Sequence, residues 1–474
     1  MRSRAPVMVI LGLLILLGIV YKIHLHPPDP SKRTTPAARE DGKAEPAPRE
    51  PAVVFIVMDM VRADRLSLCG YGRPTSPNLT ALAREAGVSH TCRAYAPGTW
   101  TLPSHASFFT GQEVPVHGAD CLLEHEGKES VSLWGDMVRP LTGQLETLAE
   151  RMSKDHETVM VSGNPVVSRW SATGLDRGFE VVRESRAFGD NYGLDLVIAL
   201  EDALDEAGGN EPLFLFINIA DAHHPWREIP RGVEWVGPRP ALDNRPRIPD
   251  NPYPRFFRGQ MDDAEREDFL TWAGDSYDWA VFRSDRTLGA VLKVLESRGI
   301  TKGPHRIVIT SDHGEYLGEH DLLSHGIFVY EEDTRVPFLY RNSESDTPLT
   351  LDGPVSALEA YDLALTGRLP NKPRPVRAAG YPDGLLSKLF GDRLVATTAA
   401  HWNGKEKLFY LNGEYSLFDL AEDPDEASPE PLPEDHPLRH SFEKFVRQVI
   451  ETGKRSVEPT PEMIEALKKL GYVR

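Results

Sequence analysis

Carboxylates and imidazoles stand directly behind apolar runs at three points of this 474-residue chain. Asp59 follows ValValPheIleValMet at 53–58; Asp221, His223 and His224 follow the run at 213–220; Asp312 and His313 follow the run at 306–310. Any one aspartate in such a place is as readily a helix cap or a turn former. Their joint recurrence points instead to a shared task, because a mixed set of oxygen and imidazole donors suits a divalent ion such as Zn, Mn, Mg or Ca. SerAspHisGlyGlu at 311–315 is the sharpest of these segments. Asp312 and His313 are neighbours, so both can turn toward one ion, with Gly314 relieving the turn.

These donors can meet only if the runs before them lie side by side. The run at 53–58 is β-branched and aromatic, as expected of a strand buried on both faces of a parallel sheet. Runs at 158–162, 213–220 and 306–310 read the same way, and stretches with helical spacing separate them. One stretch puts Tyr277, Val281, Leu288, Leu292 and Leu295 on a common face and stops at Gly299, a residue suited to a left-handed cap. Strands alternating with helices predict an α/β fold, a central mostly parallel sheet covered by helices on both faces. Sites in such sheets lie at the carboxyl ends of the strands, where these donors stand.

Composition narrows the function. With 53 Lys+Arg against 71 Asp+Glu the net charge is −18, which argues against broad nucleic-acid binding because phosphate tracking needs a basic surface. Hydrophobic residues make up 40% of the chain, enough for a sizeable core. The 3 cysteines, at 69, 92 and 121, exclude a disulfide framework and form no C-x-x-C pair; a single bridge from Cys92 to Cys121 is the pairing considered. Arg2 and Arg4 precede an uncharged run at 5–21 that Lys22 closes. Its length is at the short end of a membrane span, and the preceding positive charge predicts a cytoplasmic N-terminus with everything after it exported. An uncleaved anchor over 1–26 is expected, a cleaved signal being the alternative, since no small-x-small site follows. Residues 27–51 carry seven prolines among charged residues and read as a stiff linker. A catalytic domain is expected over 52–365 and a C-terminal subdomain over 366–474.

Three blocks, opening on ValMetAspMet at 57–60, ThrTrpThrLeuPro at 99–103 and ThrSerAspHisGly at 310–314, resemble the sulfatase family of the alkaline phosphatase superfamily. The first is ValMetAspMetValArgAlaAspArgLeu at 57–66, with CysGlyTyrGly at 69–72 and SerProAsnLeuThrAlaLeuAla at 76–83, similar to the family's metal-binding opening. The second, ThrTrpThrLeuProSerHisAlaSerPhePheThrGly at 99–111, is similar to the nucleophile block. The third is ThrSerAspHisGlyGluTyrLeuGlyGluHis at 310–320, leading to TyrGluGluAspThrArgValProPhe at 330–338. Weaker echoes are AspAlaHisHisProTrp at 221–226, the acidic stretch from 416, and LeuLysLysLeuGlyTyrVal at 467–473. The resemblance implies an alkaline phosphatase-like fold with a smaller C-terminal α+β subdomain, and metal-dependent cleavage of a small-molecule, lipid or glycan ester.

The departures from the family's pattern redirect the chemistry. Thr101 stands where sulfatases carry the Cys or Ser that becomes formylglycine, and threonine cannot form that aldehyde. His105 replaces the arginine of the nucleophile block, Met60 replaces the second aspartate of the opening, and His325 takes the place of a lysine. No Lys-x-His segment is recognisable near Gly163 and Asn164. These changes point toward the phosphatase, phosphodiesterase and phosphonate hydrolase branches of the superfamily, with a Thr or Ser nucleophile; the expected substrate is a phosphate or phosphonate ester, a sulfate ester staying open. Asp59, Thr101, Asp312 and His313 are the expected metal ligands, and the ion would lower the pKa of the Thr101 hydroxyl for in-line attack. A possible second site draws on Asp221, His223 and His325, while His223, His325 and Asn164 are also candidate substrate contacts. His105 is expected near the nucleophile on a helix starting at Pro103, with a catalytic role in orienting Thr101 or stabilising the developing charge, a surface histidine being the plainer alternative. Ser104 is expected to cap that helix and His117 to make a structural hydrogen bond. His224 and His320 have no role in this reading, and 422–435 reads as a solvated loop. Two other functions stay open: a membrane-anchored transferase that passes the group to a lipid or glycan, and an inactive binding module.

Overall fold

The computed structural model describes residues 50–121, 131–133, 136–185, 192–209, 211–224, 226, 229, 233, 253–326, 328–382 and 396–453. The expected anchor at 1–26, the linker as far as residue 49 and the closing segment at 467–473 lie outside the described residues. Most of the proline-rich loop between 226 and 252 does too. Among the described residues no helix is long and apolar enough to cross a membrane.

Strand β1 (Ala52–Met58) shows why the sheet is covered on both sides. Side chains alternate across a strand, and here Val53, Phe55 and Val57 enter one core cluster while Val54, Ile56 and Met58 enter the other. The other strands of the eight-stranded sheet are β2 (Val88–Tyr95), β3 (Glu157–Ser162), β4 (Val181–Glu184), β5 (Leu213–Ile219), β6 (His305–Thr310), β7 (Arg335–Asn342) and β8 (Val355–Ser356). Their order is β8-β2-β7-β6-β1-β5-β3-β4. β1 runs parallel to β5 and β6, and β3 runs parallel to β5 and β4, while β7 is antiparallel to both its neighbours. The carboxyl ends of β1, β3, β5 and β6 therefore open on one edge, which brings the four donor-bearing loops together.

Helices α1 (Pro77–Ala83), α2 (Thr101–Thr110), α3 (Tyr192–Ala207), α4 (Asp263–Ser297) and α5 (Glu359–Thr366) flank this sheet. The long α4 opens with a reciprocal cap between Asp262 and Glu265 and buries Tyr277, Val281, Leu288 and Leu295, the expected face. The chain leaves it through Gly299 at φ +77°, the left-handed position that glycine adopts without penalty.

A five-stranded antiparallel sheet follows: β9 (Val376–Gly380), β10 (Thr398–Asn403), β11 (Glu406–Leu411), β12 (Glu414–Asp419) and β13 (Glu430–Pro431). Helix α6 (Arg439–Gly453) packs Phe442, Phe445, Val446 and Val449 onto Ala399 and Leu408 of that sheet. Lys407 of β11 is wholly buried, with Nζ 2.6 Å from Glu426 Oε1. Nearby Glu331 accepts hydrogen bonds from Trp402 Nε1 at 2.7 Å and Tyr95 Oη at 3.1 Å, which ties this sheet to the central one. The stretch 422–435 is mostly exposed, as read from the sequence, and is corrected chiefly at Glu426, which is only 3% exposed because Lys407 needs a buried counter-charge.

The cysteine expectation is also corrected. The disulfide joins Cys69 to Cys92, across 23 residues, with Cα atoms 5.7 Å apart. The turn Ser67–Cys69 is followed by α1, which sends the chain back into β2, so Cys92 returns beside Cys69.

Candidate active site

Helix α2 begins at Thr101, two residues before the expected Pro103, because Trp100 is fully extended (φ −162°) and acts as the residue before the first turn. Pro103 is then the third helical residue, where a missing N–H costs nothing since first-turn N–H groups lack helical partners. Ser104 lies buried inside the helix and does not cap it; no side chain does. Thr101 is 2% exposed and sits at the positive end of the helix, and Asn164, just beyond β3, donates Nδ2 to Thr101 Oγ1 at 3.1 Å.

The turn after β1 is strained. Met60 has φ +63°, a region non-glycine residues seldom occupy, at a cost of about 1–3 kcal/mol. Four hydrogen bonds hold it: Met60 N–H to Asp312 Oδ1 (3.0 Å), Val61 N–H to Ser311 Oγ (2.8 Å), Arg62 N–H to Tyr277 Oη (2.9 Å) and Tyr277 Oη to Met60 O (2.7 Å). The residue that replaces an acidic ligand thus serves through its backbone, which orients Asp312.

Ligand atoms of Asp59, Asp312 and His313 lie within 4.8 Å of one another, and Thr101 Oγ1 is 3.5 Å from His313 Nε2. His313 donates Nδ1–H to Gly314 O at 2.9 Å, so its Nε2 lone pair is the one left for coordination. Asp59 Oδ1 and Asp312 Oδ2 accept no hydrogen bond among the described residues, although both are buried. Two such carboxylates are costly without a cation. Burial, reinforced by the Asp59 charge, holds the Asp312 carboxyl well above its ordinary range. Burial, with His325 nearby, pushes His313 well below its own, which leaves the imidazole neutral. The donor set and the orphaned oxygens fit one divalent ion. Gly314 is required here for room, since a Cβ would fall 1.9 Å from Glu332 O; its φ lies outside the left-handed region.

His105 is wholly buried, which excludes the surface alternative. Its Nδ1 donates to Thr101 O at 2.8 Å, and its Nε2 accepts from Asn218 Nδ2 at 3.3 Å. Burial lowers its pKa to about 4, so it is neutral near pH 7 and holds the first turn of α2. His117 makes the expected structural contacts, with Nε2 to Ser107 Oγ (2.9 Å) and Nδ1 accepting from Ala119 N–H (3.0 Å); burial pushes it to about 3.

On the other side of the donors, His325 stacks near His313 (ring centroids 4.3 Å) and holds Glu315 Oε2 through Nδ1 at 2.7 Å. His223 faces His325 edge-on at 5.5 Å and donates Nδ1–H to His224 O at 2.6 Å. Arg283 donates to Asp221 Oδ1 at 2.9 Å and Thr287 Oγ1 to Oδ2 at 2.8 Å, so the expected second site lacks its carboxylate. Among the described residues, Asp221, His223 and His325 form no ligand group as close as that of Asp59, Asp312 and His313. His320 stacks on Tyr330 at 3.8 Å and His224 sits edge-on to Trp226 at 5.5 Å.

Sequence reading missed Asn218, Glu315 and Tyr277. Asn218 did leave a signal, as the one amide within the apolar run LeuPheLeuPheIleAsnIle of β5. Glu315 and Tyr277 gain their roles only through partners distant in sequence.

Comparison with known proteins gives the family and the fold. The sulfatase family profile matches residues 51–364. The chain is 23% identical over 341 residues to an ulvan-active sulfatase of Formosa agariphila, covering 65% of this chain and 60% of that protein. It is 22% identical over 351 residues to the phosphatidylethanolamine transferase Mcr-2 of Escherichia coli, covering 71% and 58%. The chain therefore spans about three fifths of the length of these two relatives. Its fold is like that of the phosphonate monoester hydrolase of Agrobacterium radiobacter, with TM-score 0.57 and 16% identity over 85% of this chain and 95% of the other. With the family profile covering most of its length and the metal-ligand geometry in place, this chain belongs to the sulfatase family.

Proposed function

We propose that this protein is an exported, metal-dependent hydrolase that transfers a phosphoryl or phosphonyl group from an ester first to Thr101 and then to water. The observation that carries the reading is the convergence of a threonine hydroxyl, not an aldehyde precursor, on Asp59, Asp312 and His313. Asp59, Asp312, His313 and Thr101 would hold a divalent ion, which would supply Lewis acidity to lower the hydroxyl pKa and neutralise charge on the transferred group. Two carboxylates, one imidazole and a hydroxyl favour zinc or manganese over calcium, which takes six to eight oxygens.

Thr101 Oγ1, its proton already lost to solvent, attacks phosphorus in line as the alkoxide, its bond forming as the bond to the leaving alcohol oxygen breaks, and it returns to the alkoxide when water cleaves the ester. Asn164 positions that oxygen. The uncapped first turn of α2 offers N–H groups to the developing negative charge. His325, backed by Glu315, is placed to give a proton to the leaving oxygen, and His223 to hold substrate oxygens. Water then cleaves the threonine ester, with His325 as the base that receives its proton.

A transferase in which a lipid or glycan hydroxyl replaces that water is the second reading, favoured by the likeness to Mcr-2. Export is supported by the Cys69–Cys92 disulfide, a bond of oxidising compartments, and the run at 5–21 is taken as the membrane anchor. The catalytic body is taken as 52–365, completed by 366–474.

Metal analysis of the purified full-length protein tests the site. One bound transition-metal ion per chain is expected, with Asp59→Ala and Asp312→Ala each emptying the site and abolishing ester hydrolysis. Full metal content and turnover in both variants would sink the assignment.

A further inference from the structure

We propose that Asn218, an amide inside strand β5, is a positioning residue. It decides which oxygen of Asp59 faces the cation and which tautomer His105 adopts. The proposal rests on the metal reading of the site given above.

Asn218 is fully buried in a strand whose other residues are apolar, where an amide is costly; its Oδ1 has no partner among the described residues, so its two N–H donors carry its interactions. It pairs in register with Val57 of β1 and Ser162 of β3, so it lies beneath the ends of both strands, between the loops that carry Asp59 and Asn164. Its Nδ2 group carries two N–H donors. One points to Asp59 Oδ2 at 2.9 Å and the other to His105 Nε2 at 3.3 Å. The carboxylate partner fixes the orientation of the amide, because a carbonyl oxygen there would face another acceptor.

The effect on Asp59 follows by counting. Oδ2 already accepts from Asn164 Nδ2 at 2.8 Å, and the bond from Asn218 gives it a second donor. Oδ1 accepts none among the described residues. Asp59 is thereby directed to bind through Oδ1 alone, with Oδ2 pinned by two amides. The effect on His105 is equally definite. A ring nitrogen facing an N–H must carry its lone pair there, so the single ring proton sits on Nδ1 and donates to Thr101 O at 2.8 Å. One side chain thus aligns both the ligand and the turn that presents the nucleophile.

The test uses the full-length protein with Asn218→Leu, which keeps the branching at Cγ and removes both donors, and Asn218→Ala, which removes them without filling the space. Titration with Co(II) alone reads the affinity and the visible absorption of the site. The expected result is about 10- to 100-fold weaker Co(II) binding in both variants with an altered spectrum, as a freed Asp59 pivots. Wild-type affinity and spectrum in either folded variant would overturn the proposal. Independently of metal, ¹⁵N-histidine NMR of the metal-free protein should show His105 as the Nδ1–H tautomer, and the Nε2 shift should change in the variants. A proton on Nε2 in the wild type overturns the His105 half. Failure of the wild type to bind Co(II) overturns the metal reading and the Asp59 half, while the histidine spectrum still decides the rest.

Discussion

The proposed nucleophile, Thr101, must also be an acceptable helix residue, and its place at the first position of α2 reconciles the two roles. There its hydroxyl is free of the helix ladder and aimed at Asn164 and His313. Thr101→Ala should abolish covalent labelling by a substrate and reduce kcat by on the order of 10³-fold or more, whereas Thr101→Ser should retain part of both. Acid-quenched peptide mapping reads the label, and labelling of Thr101→Ala at the wild-type level would exclude this nucleophile. Asp59, Asp312 and His313 were legible in the sequence because each stands where a strand ends, whereas Thr101 was picked out through the resemblance of its block to the family's nucleophile segment. Asn218 and Glu315 were not assigned, because a buried amide and a second acid after SerAspHisGly acquire meaning only when Asp59, His105 and His325 are seen beside them.

At the scale of elements, the site depends on how closely two backbone segments approach. Gly314 N–H donates to Asp333 O at 2.7 Å, and no Cβ fits beside Glu332 O. Gly314→Ala should therefore destabilise the fold by about 1–3 kcal/mol and weaken metal binding, since His313 precedes it directly. A urea midpoint and a metal titration equal to wild type would show that the loop yields without cost. The apolar runs announced the strands at 52–58, 157–162, 213–219 and 305–310 nearly to the residue, because burial on both faces leaves few alternatives. The start of α2 was misread by two residues because Pro103 is favoured in any position of the first turn, and only the extended Trp100 settles which. The left-handed Met60 had no signature at all: its strain is sustained by Ser311, Asp312 and Tyr277, all more than two hundred residues away in sequence.

The whole molecule joins a mostly parallel sheet, whose architecture was legible from alternating strands and helices, to a C-terminal sheet whose docking was not. The buried Lys407–Glu426 pair lies in a segment that composition alone marks as solvated, and the Cys69–Cys92 bridge depends on how α1 reverses the chain. Buried histidines make the fold sensitive to acid. His117 titrates near 3 when folded against an ordinary value of 6.5, so the unfolded chain takes up the proton first. Its contribution is whole above about pH 6.5 and is lost as the pH falls toward 3, by up to about 1.4 kcal/mol per unit. His117→Gln should flatten the decline of the urea midpoint between pH 6 and 4; an unchanged slope would assign that decline to other groups. The central claim, that a metal-poised threonine makes this sulfatase-family protein a phosphoryl or phosphonyl transfer enzyme, concerns the action of the assembled site. A sulfate or phosphate ester of threonine must be opened by attack at sulfur or phosphorus, with no aldehyde route to expel the group from carbon. The most direct measurement is the ratio of kcat/KM for aryl phosphate or phosphonate esters to that for the matched aryl sulfate. A ratio well above one is the predicted result, and a wild-type preference for the sulfate would contradict the account.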